Sequence, residues 1–159
     1  MRKAWIGFAM AGSLFLVSCK KEKEPEPVVE KKPPVVEANA WSIDTNKFTF
    51  SSLQKNTESI YFYDKSGGMV AFEFKTWPTK DATYNVVANT TGILGDNEMG
   101  IFAKKEMSGS TYFSTSDGAR TVTVKVTEGK LSFKCTDVPL ADKGIVPGTV
   151  KLTANVYNP

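Results

Sequence analysis

In Thr121-Val122-Thr123-Val124-Lys125-Val126-Thr127-Glu128-Gly129-Lys130-Leu131-Ser132-Phe133-Lys134-Cys135, every second residue is apolar on both sides of Glu128-Gly129. A period of two puts Val122, Val124 and Val126, then Leu131, Phe133 and Cys135, on one face of an extended chain. The Thr, Lys and Ser residues fall on the other face. A two-residue break containing glycine suits a tight hairpin turn. The stretch therefore predicts an antiparallel hairpin with one buried face and one solvated face. Cys135 is expected as a buried free thiol, with a reactive surface thiol as the other reading.

The same alternation recurs upstream. Residues 47–52 place Phe48 and Phe50 on one face, and residues 58–64 place Ile60 and Phe62 on one side with Tyr61 and Tyr63 on the other. Two apolar faces imply a strand covered on both sides. Lys65-Ser66-Gly67-Gly68 reads as a hairpin turn into residues 69–76, with Val70, Phe72 and Phe74 inward. Trp77-Pro78 ends that strand. Residues 83–87, 99–104 and 109–115 read as further strands, the second with Ile101 and Ala103 inward and the third centred on Tyr112 and Phe113. A Ser116-Asp117-Gly118 turn leads into the hairpin. Beyond it, a connection over 138–149 precedes a last strand at 150–157, on which Val150, Leu152, Ala154 and Val156 alternate.

About nine short strands at regular spacing, with no helical period, predict an all-β domain. The long connections at 88–98 and 138–149 favour an antiparallel β-sandwich of Greek-key type. A lipocalin-like closed barrel is the alternative, although the Gly-x-Trp signature of lipocalins is missing around Trp41.

The first 18 residues have a different logic. Met1-Arg2-Lys3 is basic, residues 4–18 are apolar, and Leu16-Val17-Ser18 runs into Cys19. This resembles the lipobox of bacterial lipoproteins. The resemblance implies cleavage after Ser18, with Leu16, Val17 and Ser18 as the recognition residues. It also implies a diacylglyceryl thioether on Cys19 and N-acylation of that residue by a fatty acid such as palmitate. A transmembrane helix needs about 20 apolar residues, more than this stretch supplies. Simple secretion is the other reading. Residues 20–38 mix Lys and Glu with Pro25, Pro27, Pro33 and Pro34, and are expected as a disordered tether reaching on the order of 60 Å at full stretch. The expected organisation is a signal peptide at 1–18, a lipidated tether at 19–40 and a β-domain at 41–159.

Lipobox, charged proline tether and β-domain together are similar to the small lipoproteins of Bacteroidota. In the domain the similar stretches are Trp77-Pro78-Thr79 through Tyr84-Asn85-Val86, residues 94–99, residues 112–118, and Thr121-Val122-Thr123-Val124 into Gly129-Lys130. That likeness implies a cell-envelope address, most simply the outer membrane, and a β fold. It supplies no catalytic residues.

The chain holds 20 basic and 17 acidic residues and no histidine. Loss of Arg2 and Lys3 with the leader brings the balance close to neutral. With no basic cluster in the body of the sequence, no nucleic-acid partner is expected. Lack of histidine removes Ser-His-Asp and Cys-His chemistry and the usual zinc sets. Two cysteines, one reserved for lipid, leave no internal disulfide. Asp96-Asn97-Glu98, near Asn89, Thr90 and Thr91, reads as a polar loop, since it lacks the calcium-loop spacing. No metal and no cofactor are expected.

Two function classes follow. One is a non-enzymatic binding or accessory module in the envelope, held at the membrane by Cys19 and contacting another envelope protein or a glycan; an inhibitor or immunity-type lipoprotein is a variant of it. The other is a carboxylate-dependent envelope hydrolase built from two of Asp64, Glu73, Asp96, Glu98 and Asp137. Trp41, Trp77, Tyr61, Tyr63, Phe102 and Tyr157 would form a stacking platform if they stand outward, or fill the core if they do not. Trp77, Ile93 and Leu94 are candidate ligand-binding residues. Ile93 and Leu94, in the loop before Asp96, are expected to plug an end of the sandwich, or to meet a partner if exposed beside Trp77.

Overall fold

The computed structural model describes residues 38–88, 93–115, 120–142 and 148–159. The expected signal peptide, Leu16, Val17, Ser18, Cys19 and nearly all of the tether lie outside the described residues. So do Asn89, Thr90 and Thr91, the 116–118 turn, and residues 143–147. The described residues are all-β: β1 (Ala40–Ile43), β2 (Asn46–Thr49), β3 (Ser52–Lys55), β4 (Ser59–Tyr63), β5 (Met69–Phe74), β6 (Ala82–Val86), β7 (Glu98–Lys104), β8 (Thr111–Ser114), β9 (Thr121–Thr127), β10 (Lys130–Asp142) and β11 (Thr149–Tyr157). Eleven strands rather than about nine arise because residues 40–55 divide into three short ones.

β9 and β10 form the expected hairpin, with Leu131 opposite Val126 and Phe133 opposite Val124. Glu128 and Gly129 take φ of 53° and 75°, the paired positive angles of a type I′ turn. Val122, Val124, Leu131, Phe133 and Cys135 are buried, while Val126 is only half-buried near the turn. Burial pushes the Cys135 thiol up to about 12, against a smaller opposing hydrogen bond from the Ala154 backbone, so this cysteine is a packed hydrophobe.

The expected connection from 138 onward is corrected: β10 continues to Asp142. Its register shifts between Cys135 and Val138, and the buried positions pass from odd to even numbers at that point. This is a bulge, with Asp137 at φ 51° donating its N–H to Thr153 Oγ1 at 3.1 Å. Before the bulge β10 pairs with β9, after it with β8, and β11 follows its other edge throughout. Pro139 fits because its carbonyl, which accepts from the Thr115 N–H, faces the gap where β9 has ended. Its ring nitrogen faces the same edge, where no ladder donor is required.

β7 forks in the same way, with β5 on one edge and β6 then β8 on the other. The buried Ser114 hydroxyl stitches the fork, accepting from Ile101 N at 3.1 Å and donating to Val87 O at 2.5 Å. β6 and β7 are parallel, which makes this a mixed sheet where an antiparallel one was expected. β2 and β3 are halves of one extended run. Phe50 N–H donates to Asn39 O on the β1 side, and Ser51 N–H donates to Tyr63 O on the β4 side. The hydrogen-bonded path β2-β1-β11-β10-β9-β6-β7-β5-β4-β3 thus starts and ends on that run.

The sheet curls in a sandwich or barrel-like arrangement, so that strands far apart along it face each other across one core. Phe72 of β5 stacks on Phe133 of β10 at 4.5 Å although the two strands are not hydrogen-bonded neighbours. Phe62 meets the same ring edge-on at 5.9 Å, and Phe74 stacks at 6.1 Å. At one end of this core lies the β4–β5 turn. Gly67 supplies positive φ there, whereas Gly68 is required for space, since a Cβ on it would overlap the Phe48 ring.

Candidate functional site

With Ile60 and Phe62 of β4, Val70, Phe72 and Phe74 of β5, and Ile101 and Ala103 of β7 in the core, alternation turns the intervening residues outward. Register then sets Tyr61 opposite Ala71, Ala71 opposite Phe102, and Phe102 opposite Phe113 of β8. At strand spacing the row runs about 14 Å from Tyr61 to Phe113. Ala71 is too small to separate its neighbours, so the rings of Tyr61 and Phe102 close over it edge to face at 5.5 Å, and Ala71 is fully buried. Phe102 contacts Phe113 at 6.2 Å, and Tyr61 lies parallel to Tyr63 at 6.4 Å. All four rings are half-buried. Desolvation, then the neighbouring Tyr61, raises the pKa of the Tyr63 phenol. It stays protonated and donates to Gln54 Oε1 at 3.4 Å.

One pair further along β4 and β5 on this same face stand Ser59 and Glu73. Both line an open cleft of 580 Å³ together with Asn56, Thr57 and Glu58 of the β3–β4 turn, Phe74, Lys75, Ile93 and Leu94. The aromatic row therefore runs into a cleft with a polar floor and an aliphatic lip. Lys75 is held at that lip by Asp96 at 2.9 Å, and Glu98 closes the neighbouring turn by accepting from Gly95 N at 2.7 Å.

Ile93 is 83% exposed and Leu94 half-buried, which corrects the expectation that the pair plugs an end of the sandwich. Trp77 is half-buried against Phe74 at 5.4 Å, with the Lys55 ammonium 5.8 Å from its ring centroid. Phe74 is thus shared between Trp77 and the cleft, and it brings the three candidate residues to one end of the domain. Tyr61, Tyr63 and Phe102 form the outward row, whereas Trp41 is fully buried, stacked on Phe48 at 5.6 Å. Tyr157 stands on another face. Phe113 belongs to the row but not to the platform residues read from the sequence, and only its register against Phe102 reveals it.

The candidate carboxylates scatter. Asp64 closes the β4–β5 turn, Asp137 sits in the β10 bulge, and Asp96 and Glu98 serve the loop before β7. Glu73 is the one that reaches the cleft, where Glu58 joins it. Among the described residues no group of three His, Cys, Asp or Glu side chains is placed to hold a metal ion. Compared with protein-family models, with curated proteins and with solved structures, the chain matches none.

Proposed function

We propose that this chain is a non-enzymatic binding module, held in the cell envelope through an acylated Cys19, whose ligand is a glycan laid along the aromatic row and into the adjoining cleft. The observation that carries this reading is the continuity of Tyr63, Tyr61, Phe102 and Phe113 with the polar groups of the cleft. A sugar ring has an apolar C–H face and a polar rim. Aromatic faces suit the first, and convergent Asn, Thr, Ser, Glu and Lys groups suit the second. A protein partner would use the exposed Ile93 at the lip instead, and the hydrolase alternative rests on Glu58 and Glu73.

The test is titration of the purified protein against a panel of polysaccharides, with Tyr61→Ala/Phe102→Ala as the comparison. Binding that falls at least about tenfold in the double variant, with no new reducing ends released, is the expected outcome. Release of reducing ends that stops in Glu73→Gln would replace the binding module with an enzyme. The address is tested separately: Cys19→Ala should leave the membrane fraction, and a variant that still resists carbonate washing would defeat the anchor.

A further inference from the structure

We propose that the outer face of β9, β10 and β11 is a second interaction surface, one that docks flat against an anionic bilayer. Alternation turns Lys125 of β9 and Lys130 and Lys134 of β10 outward, and Arg120 stands at the head of β9. All four are exposed. None of them forms an ion pair among the described residues. Register packs them closely: Lys125 lies opposite Ser132, Ser132 opposite Tyr157, and Lys134 lies between Thr123 and Asn155. The remaining outward strand positions on β9 and on β10 before its bulge are threonine and serine, so within these strands no carboxylate stands between the basic side chains. The nearest acidic residue is Glu128, exposed in the hairpin turn and lining a shallow groove with Lys125, Lys130 and Tyr157, so one carboxylate offsets part of the charge at that end of the face. Asp81 accepts the Val126 N–H at 2.8 Å, and Asp137 sits in the bulge.

Two further features suit a phosphate-bearing surface. A shallow groove of 400 Å³ gathers Arg120 and Lys134 with the hydroxyls of Thr121, Thr123 and Thr136. At the other end of the face Tyr157 is 42% exposed, one of the few large apolar side chains left so open. A flat lattice of lysines on flexible stems matches a planar array of headgroups, where no pocket is needed, and a tyrosine ring is at home at headgroup depth. Each basic residue near an anionic leaflet strengthens binding about fivefold. The proposal borrows from the envelope reading only the place where the face would act.

The test removes the anchor, so that the two ideas fail separately. The full chain carrying Cys19→Ala is sedimented with vesicles of phosphatidylglycerol and phosphatidylcholine, or of phosphatidylcholine alone. Arg2, Lys3 and the tether lysines also favour anionic vesicles, but they are common to the parent and every variant, so the contribution of the lysine face is read from the difference between parent and variant. At low salt the anionic vesicles should be preferred at least about tenfold, and the preference should vanish near about 0.5 M salt. It should fall at least about fivefold in Arg120→Gln/Lys125→Gln/Lys130→Gln/Lys134→Gln, with near-ultraviolet circular dichroism unchanged. It should persist in Lys47→Gln/Lys55→Gln/Lys65→Gln/Lys104→Gln, which removes as much charge from elsewhere in the domain. Equal binding of the parent to the two vesicle types, or a preference undiminished in the first quadruple variant, overturns the proposal. So does tighter capture by soluble dextran sulfate than by anionic vesicles, which would assign the face to an acidic polymer.

Discussion

The outward residues of β4 and β5 include Tyr61, Tyr63, Met69 and Ala71, and none of these four is exposed. Those of β9 are Thr121, Thr123, Lys125 and Thr127, and every one is exposed. Both pairs of strands contribute rings or valines to the same core, so burying the inner face does not account for the difference. On the β9–β10 side, polar outer residues satisfy themselves with water and leave a charged field. On the β4–β5 side, aromatic rings shield small residues and present half-buried faces. Binding to the first surface would act at long range and weaken with salt, whereas binding to the second would act at short range and resist it.

The largest effect is expected where the comparison should fail. Phe133 touches Phe62, Phe72 and Phe74 across the core, so both outer faces hang on it. Phe133→Ala should cost about 3–5 kcal/mol and unfold both faces in one transition, followed by tryptophan fluorescence in urea. Two separate transitions would mean that the faces belong to independently stable units.

A more direct contrast exchanges the outer residues. Tyr61→Thr/Phe102→Thr should lose about 1–3 kcal/mol, because three ring contacts and the cover over Ala71 disappear. Thr123→Ala/Lys125→Ala should stay within about 0.5 kcal/mol, as exposed positions do. If calorimetry returned equal losses, the two faces would be energetically alike.

The two hairpins differ in what holds them. The β9–β10 turn relies on backbone angles, whereas the β4–β5 turn relies on Asp64, which accepts from Ser66 N at 2.6 Å, Ser66 Oγ at 2.5 Å and Thr49 N at 3.0 Å. Burial pulls the Asp64 pKa up, but these hydrogen bonds together with one from the Lys65 backbone outweigh it and hold it below 3.8. Its ionised form therefore stabilises the fold above the unfolded-state value, and that contribution is lost as pH falls through the folded-state pKa. Asp64→Asn should lower the melting temperature near neutral pH, with the gap from the parent closing as pH falls below the ordinary aspartate range. A gap that stayed constant with pH would show the carboxylate charge to be irrelevant.

The smallest effect belongs to the cleft lip. With Ile93 83% exposed, Ile93→Ser should leave stability within about 0.5 kcal/mol and affect ligand capture alone. A loss above about 2 kcal/mol in thermal melts would make Ile93 a core residue after all.

Much of this molecule follows from alternation alone. The β9–β10 hairpin, its turn, the burial of Cys135 and the inward sides of β5, β7 and β11 are legible because a polar–apolar period of two marks which face is dry. The β10 bulge was also visible in principle, since the apolar phase slips between Cys135 and Val138, but Pro139 pointed to a loop instead. Alternation has no answer for β4, where Ile60 and Phe62 compete with Tyr61 and Tyr63: both sides are apolar, and only packing against β10 chooses one. Strand neighbours are equally non-local. That Phe102 meets Phe113, that β6 runs parallel to β7, and that β10 passes from β9 to β8 depend on contacts between distant residues. The aromatic row needs four strands to exist. So does the lysine face in its own way: charges scattered over a nearly neutral sequence become a field only when register sets β9, β10 and β11 side by side, because electrostatic potential sums over space and not along the chain.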